Sequence, residues 1–217
     1  GTKGQAVVKN CSFLFSSARM EGITVKVLNS KFVANIKQSI NLGGGLSVVK
    51  GKQREENLGV AITNSKFVAN YAASGGAFYT DLTKTTLVNS TFINNIAHKH
   101  GGALYITGAS AVIIMHGCMF RNNTADLSSG GVYIIHAHLV FIASNVFQYN
   151  HVKTIKMKQS KPHEMKSNNF GGGLTVAKGM NTGAYLSVTI SNSKFAANRA
   201  AIGGAFYTDL PNTVLLN

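Results

Sequence analysis

The acid–base equipment of this chain is sparse: seven carboxylates and seven histidines in 217 residues. The carboxylates are Glu21, Glu55, Glu56, Asp81, Asp126, Glu164 and Asp209. Glycoside hydrolysis would need two of them about 5 to 9.5 Å apart, one on each side of a sugar bond. A polysaccharide lyase would need carboxylates holding calcium beside a Lys or Arg base. Asp81 and Asp209 each follow the same GGAFYT segment, so their recurrence reads as turn chemistry. Asp126 lies in a turn on a different corner, and Glu55 and Glu56 sit in a lysine-rich loop where solvent is the expected partner. His98 and His100 flank a turn, while His136 and His138 are spaced as two residues of one strand face. The latter pair would hold a metal only weakly, since no cysteine or carboxylate is near in sequence. There is no Gly-x-Ser-x-Gly elbow, and the glycine clusters open strands rather than helices, which removes the phosphate-loop reading. The expectation is no catalytic residue, no metal centre and no cofactor.

Any such residues would be positioned by a repeat. Glycine elements begin at Gly43, Gly75, Gly101, Gly130, Gly171 and Gly203. Between them come Phe32/Asn35, Phe67/Asn70, Phe92/Asn95, Phe120/Asn123, Phe147/Asn150 and Phe195/Asn198, with a degenerate copy at Phe13/Ser16. Strict alternation of two motifs signals a stack of equivalent coils. Successive motif phenylalanines are 19, 35, 25, 28, 27 and 48 residues apart. Helix-pair repeats keep a nearly constant period, whereas a coil with fixed strands and extensible turns does not. Five residues before each Phe stand Val8, Val27, Ile62, Leu87, Met115, Ile142 and Ile190, and seven before stand Ala6, Val25, Val60, Thr85, Ile113, Val140 and Val188. Apolar, largely β-branched residues at every second place mark strands with one face buried. After the glycines, Leu46/Val48, Phe78/Thr80, Leu104/Ile106, Tyr133/Ile135, Leu174/Val176 and Phe206/Thr208 alternate likewise. The pattern predicts an all-β, single-stranded parallel β-helix of about six to seven coils.

Stacking at about 4.8 Å per coil turns recurring residues into columns. The column three before the Phe reads Asn10, Asn29, Asn64, Asn89, Gly117, Ser144 and Asn192; three after it come Ser16 and then six asparagines. Asn accepts left-handed backbone and its amide can bond the coil above or below, so both columns are expected at laddered corners. The six motif phenylalanines should stack inside the core. Cys11 and Cys118 share a column four coils apart, roughly 19 Å at the strand spacing, too far for a disulfide. They are expected as free thiols standing in for Ser. Sequons occur at Asn10, Asn89 and Asn122. A glycan on the first two would break a ladder, which leaves Asn122 as the candidate glycosylation site.

GGGL, NSKF and GGAFYTDL all recur at an offset of 128 residues, which suggests duplication of a four-coil block. Asn217 aligns with Asn89, so residues 1–217 read as one continuous solenoid segment of a longer repetitive protein. An inserted basic loop at 151–170 carries Lys153, Lys156, Lys158, Lys161 and Lys166. With a net charge of +14, this loop is the candidate contact for a polyanion. Nucleic acid is disfavoured because no aromatic residues interleave with the lysines. No apolar run reaches the roughly 18 residues of a membrane-spanning helix.

GGAF at Gly75 and Gly203, GGAL at Gly101 and the six Phe-x-x-Asn copies resemble the repeats of the polymorphic outer-membrane protein family, found in chlamydial surface autotransporters. The resemblance implies a right-handed parallel β-helix displayed outside the cell and working in adhesion or as a stalk. In that family the motif residues maintain the coil, so the resemblance assigns no binding residue. The chain departs from bacterial members in its strong positive charge and in carrying no translocating barrel within these residues. The expected function is a non-enzymatic extracellular rod or filament segment. Its expected partners are a protein or polyanionic polysaccharide at a cell surface or matrix, or further copies associating end to end or side by side. The alternatives are a polysaccharide-binding or polysaccharide-degrading β-helix, and a polyanion-binding module using the basic loop.

Overall fold

A computed structural model describes residues 4–36, 42–51, 57–109, 111–153, 169–179 and 186–217. One coil shows the plan. A five-residue strand, Gly59–Thr63, turns into Lys66–Val68, then into the two-residue strand Tyr71–Ala72, then through the glycine element into Phe78–Thr80. The chain next enters Lys84–Val88, which lies parallel to Gly59–Thr63 in the coil before. Repetition builds a long sheet of eight strands, a phenylalanine sheet of seven, a glycine sheet of seven and a short sheet of four, among the described residues. Among the described residues there are seven coils and an eighth long strand, a parallel β-helix with no helical segment.

The alternating residues of the long strands face inward as their spacing predicts. Val25, Val27, Ile62, Leu87, Ile113, Met115 and Val188 are fully buried. The phenylalanine rings stack from Phe13 through Phe195, with successive centroids 4.7, 4.6, 4.9, 4.9, 4.9 and 4.7 Å apart and nearly parallel planes. Burying each ring contributes on the order of 2–3 kcal/mol.

Both asparagine columns sit at corners but do different work, which corrects the expectation that each combines a left-handed backbone with an amide ladder. The first column holds the left-handed corner, with φ of 55° at Asn10, 49° at Asn29, 49° at Asn64 and 47° at Asn89, and its side chains are exposed. Hydrogen bonding there passes to the next residue. Ser30, Ser65, Ser90 and Ser193 each donate a hydroxyl to the carbonyl two residues back. Ser30, Ser65 and Ser90 also accept the amide of their counterpart in the preceding coil. Cys118 keeps its thiol buried in this column and Cys11 leaves its own exposed, both free.

The second column points inward. Asn70 Nδ2 donates to Asn95 Oδ1 at 2.9 Å and to the Phe32 carbonyl at 3.0 Å. Its own Oδ1 accepts the backbone amide and Nδ2 of Asn35. The same four bonds recur at Asn95, Asn123 and Asn150, so every polar site of these amides is used. The left-handed residue at this corner is the one before the Asn: Phe15, Ala34, Ala69, Asn94, Asn122, Tyr149 and Ala197. At alanine that conformation costs about 1–2 kcal/mol, which the ladder beside it offsets.

The third corner is the glycine element, read one residue out of register at its fourth copy. The inward pair there is Val132 and Ile134, aligned with Leu104 and Ile106, rather than Tyr133 and Ile135. Ser129 takes the left-handed position held elsewhere by the first glycine, and its hydroxyl donates to the Val132 carbonyl. The second glycine is required for close approach: a Cβ on Gly102 would collide with the Gly130 carbonyl and the Thr124 amide.

Replacement of Asn95 by Ala strips partners from the Asn70 amides and the Phe67 carbonyl inside the core, and should cost about 3 kcal/mol or more. The same change at exposed Asn64 should cost about 1 kcal/mol, the left-handed penalty alone. Thermal and urea unfolding of the two variants checks the split; equal losses would remove the distinction between the columns.

Candidate functional site

The six ladder asparagines and six motif phenylalanines are consumed in the fold, and the ladder asparagines have no free polar atom to offer a ligand. Asp81 and Asp209 are also structural: each accepts a backbone amide from the coil before, Lys50 at 2.7 Å and Lys178 at 2.6 Å. His136 and His138 do not share a strand face. His136 takes a left-handed turn with φ of 66°, and His138 is the extra residue of a bulge between Ala137 and Leu139. Among the described residues no cluster of three or more His, Cys, Asp or Glu could hold a metal. Glu55, Glu56, Glu164, Lys156, Lys158, Lys161 and Lys166 lie outside the described residues.

What the structure assembles instead is a polar column along the short sheet, where its strands run on toward the glycine element. Tyr71 Oη meets His98 Nε2, and His98 Nδ1 lies 3.2 Å from Asp126 Oδ2. Lys153 Nζ lies 3.0 Å from Asp126 Oδ1. Lys153, a predicted polyanion contact, is thus ion-paired within its own chain. His98, Asp126 and Lys153 each stand six residues after a motif Phe, so coil stacking alone brings them together. Sequence reasoning saw them as unrelated turn residues; their equal offset from the Phe was the available signal. The column is half-exposed, a setting in which ion pairs contribute about 0–1 kcal/mol each.

Four residues back along the same coils lies a groove of about 440 Å³ lined by Ile93, Asn94, Arg121, Asn122 and Tyr149. The Arg121 guanidinium sits 5.9 Å from the Tyr149 ring centre. Asn122, the sequon residue, is exposed and donates through Nδ2 to Asn94 Oδ1 at 2.8 Å. The argument against a glycan at Asn10 and Asn89 loses its basis here, because both side chains point to solvent rather than into the ladder.

The glycine sheet carries outward tyrosines. Tyr79 and Tyr105 are 5.6 Å apart, Tyr105 and Tyr133 5.5 Å, and His100 stacks on Tyr133 at 5.1 Å. Burial raises all three phenols, Tyr105 to about 12. Burial lowers the His100 imidazole, and the Lys99 charge lowers it further. Burial likewise pushes the Cys118 thiol up to about 11, which keeps it inert as a nucleophile.

His100 generates a pH prediction. In the unfolded chain it titrates near 6.5, and in the fold lower. Below about pH 6.5 the unfolded state therefore binds more protons, so stability falls as pH drops through that value and levels off under the folded pKa. His100→Phe, which keeps a ring against Tyr133, should flatten the fall between pH 7 and 5. Unfolding midpoints across that range test it; an NMR midpoint for His100 above 6.5 would refute the sign.

Neither a curated protein nor a solved structure matches the chain. Residues 89–107, which hold the Phe92/Asn95 motif and the GGAL element of one coil, match the Chlamydia polymorphic membrane protein repeat, and over that coil the resemblance carried by the motifs is borne out.

Proposed function

We propose that this chain is a non-enzymatic segment of a surface-displayed β-helix, a rigid element that holds its loops and faces toward partners outside the cell. The repeat matched at residues 89–107 is one of a membrane-protein family, which supports the surface location. The observation that carries the rest is the fate of the acids. Each of the four described carboxylates is engaged: Glu21 with Arg19, Asp81 with the Lys50 amide, Asp126 with His98 and Lys153, and Asp209 with the Lys178 amide. In every case the partner is a base or a backbone amide, and no acid is bonded to a second acid among the described residues. Its partners on this reading are a protein or an acidic polysaccharide of a cell surface or matrix.

Beads coated with residues 1–217 should adhere to cells or matrix, while the soluble chain should release no reducing ends or unsaturated sugars from a polysaccharide panel. Turnover abolished by Asp126→Asn would overturn the non-enzymatic reading. Absence of adhesion to any surface tested, with the coil intact by circular dichroism, would overturn the adhesive one.

A further inference from the structure

The groove at Ile93, Asn94, Arg121, Asn122 and Tyr149 lies on the left-handed corner before the asparagine ladder and carries side chains that the corner does not need. The inward asparagine ladder and the serine column are consumed by their neighbours, whereas here several polar groups are left over. Arg121 is exposed, and the ion pairs among the described residues use Arg19 and Glu21, and Asp126 with His98 and Lys153, never Arg121. Tyr149 is 49% exposed and sits in left-handed backbone with φ of 55°. A large exposed aromatic in that conformation is costly and contributes nothing to the core. Its place in the column is filled by Ala34, Ala69 and Ala197 in other coils, so the fold does not require a ring there.

We propose that this groove binds a carboxylated saccharide, a uronate unit of an acidic glycan. Arg121 supplies a planar fork of donors matched to a carboxylate. The Asn94–Asn122 pair spends only one Nδ2 hydrogen and one Oδ1 lone pair on their mutual bond, so it still offers donors and acceptors for ring hydroxyls. Tyr149 and Ile93 supply apolar surface for the C–H face of a pyranose, with the phenol at the rim. Asn94, Asn122 and Tyr149 rise through three successive coils at about 4.8 Å per step, so the groove runs along the coil axis and suits a chain rather than a compact ion. The site deepens the adhesive reading by naming a ligand class, and rests on it only for where such a glycan is met.

The test is calorimetric titration of residues 1–217 with oligogalacturonate, against neutral maltotriose and poly-glutamate. Oligogalacturonate should bind and maltotriose should not. Arg121→Ala and Tyr149→Ala variants should each weaken binding about tenfold or more, the effect of losing one charged or stacking contact. Lys84→Ala, a lysine on the long sheet, should leave it unchanged. All three side chains are exposed, and circular dichroism confirms that the coil survives. No binding by the unaltered chain at millimolar oligogalacturonate overturns the proposal, as does binding that Lys84→Ala weakens equally. Equal affinity for poly-glutamate overturns the saccharide assignment. A glycan found on Asn122 in natively produced protein overturns it too, since the groove would be covered. Cell adhesion that persists while oligogalacturonate fails to bind removes the groove and leaves the rod reading standing.

Discussion

A buried primary amide has four hydrogen-bonding sites and no solvent to fill them. In this fold each inward asparagine meets that demand only through the coils on either side. Its Nδ2 reaches the next asparagine and the phenylalanine carbonyl of the coil before, and its Oδ1 takes both donors from the preceding asparagine. A coil in isolation would leave these groups unpaired in an apolar core, a penalty of about 1–3 kcal/mol per group. Vertical register is therefore enforced, and the stacked phenylalanines, the strained alanine corners and the close glycine contacts all inherit it. The serine column at the first corner repeats the principle more weakly: a single hydroxyl bridges Cys11 to Ser30, Ser30 to Ser65, Ser65 to Ser90 and Asn145 to Ser193, and the Asn145 amide takes that place for Cys118.

Because register is enforced from within, the outside of the coil is where composition can vary. One column can hold Ala73, His98, Asp126 and Lys153 in successive coils without altering the interior. Chemistry on such a surface is written down the axis rather than along the chain. The polar column and the neighbouring groove both arise this way, from residues 27 or 28 positions apart. The outward tyrosines of the glycine sheet follow the same logic, with His100 filling the space between rings.

Much of the architecture was legible because ladders repeat the same residue at the same offset. The Phe column, the inward long-strand positions and the left-handed asparagines at Asn10, Asn29, Asn64 and Asn89 all follow from counting. Where counting failed, a substitution had hidden the register. Ser129 in the glycine's place made the fourth element look one residue shorter, so Tyr133 was read inward. The two asparagine columns looked alike because Asn serves both a left-handed corner and a buried amide ladder; only burial separates them. The candidate site was illegible for the opposite reason: His98, Asp126 and Lys153 are chemically unlike, and a search for recurring residues passes over a column whose members differ.

The asparagine bond is indifferent to contour length. Asn70 and Asn95 are 25 residues apart in sequence and Asn150 and Asn198 are 48 apart, yet the side-chain bond is 2.9 Å in both. A rung senses only what lies directly above and below it, never how far the polypeptide wandered in between. Material can therefore be spliced into a loop, or a block of coils copied wholesale, without the axial stack noticing. The frame must hold still, while the flank can be lengthened or redecorated one coil at a time.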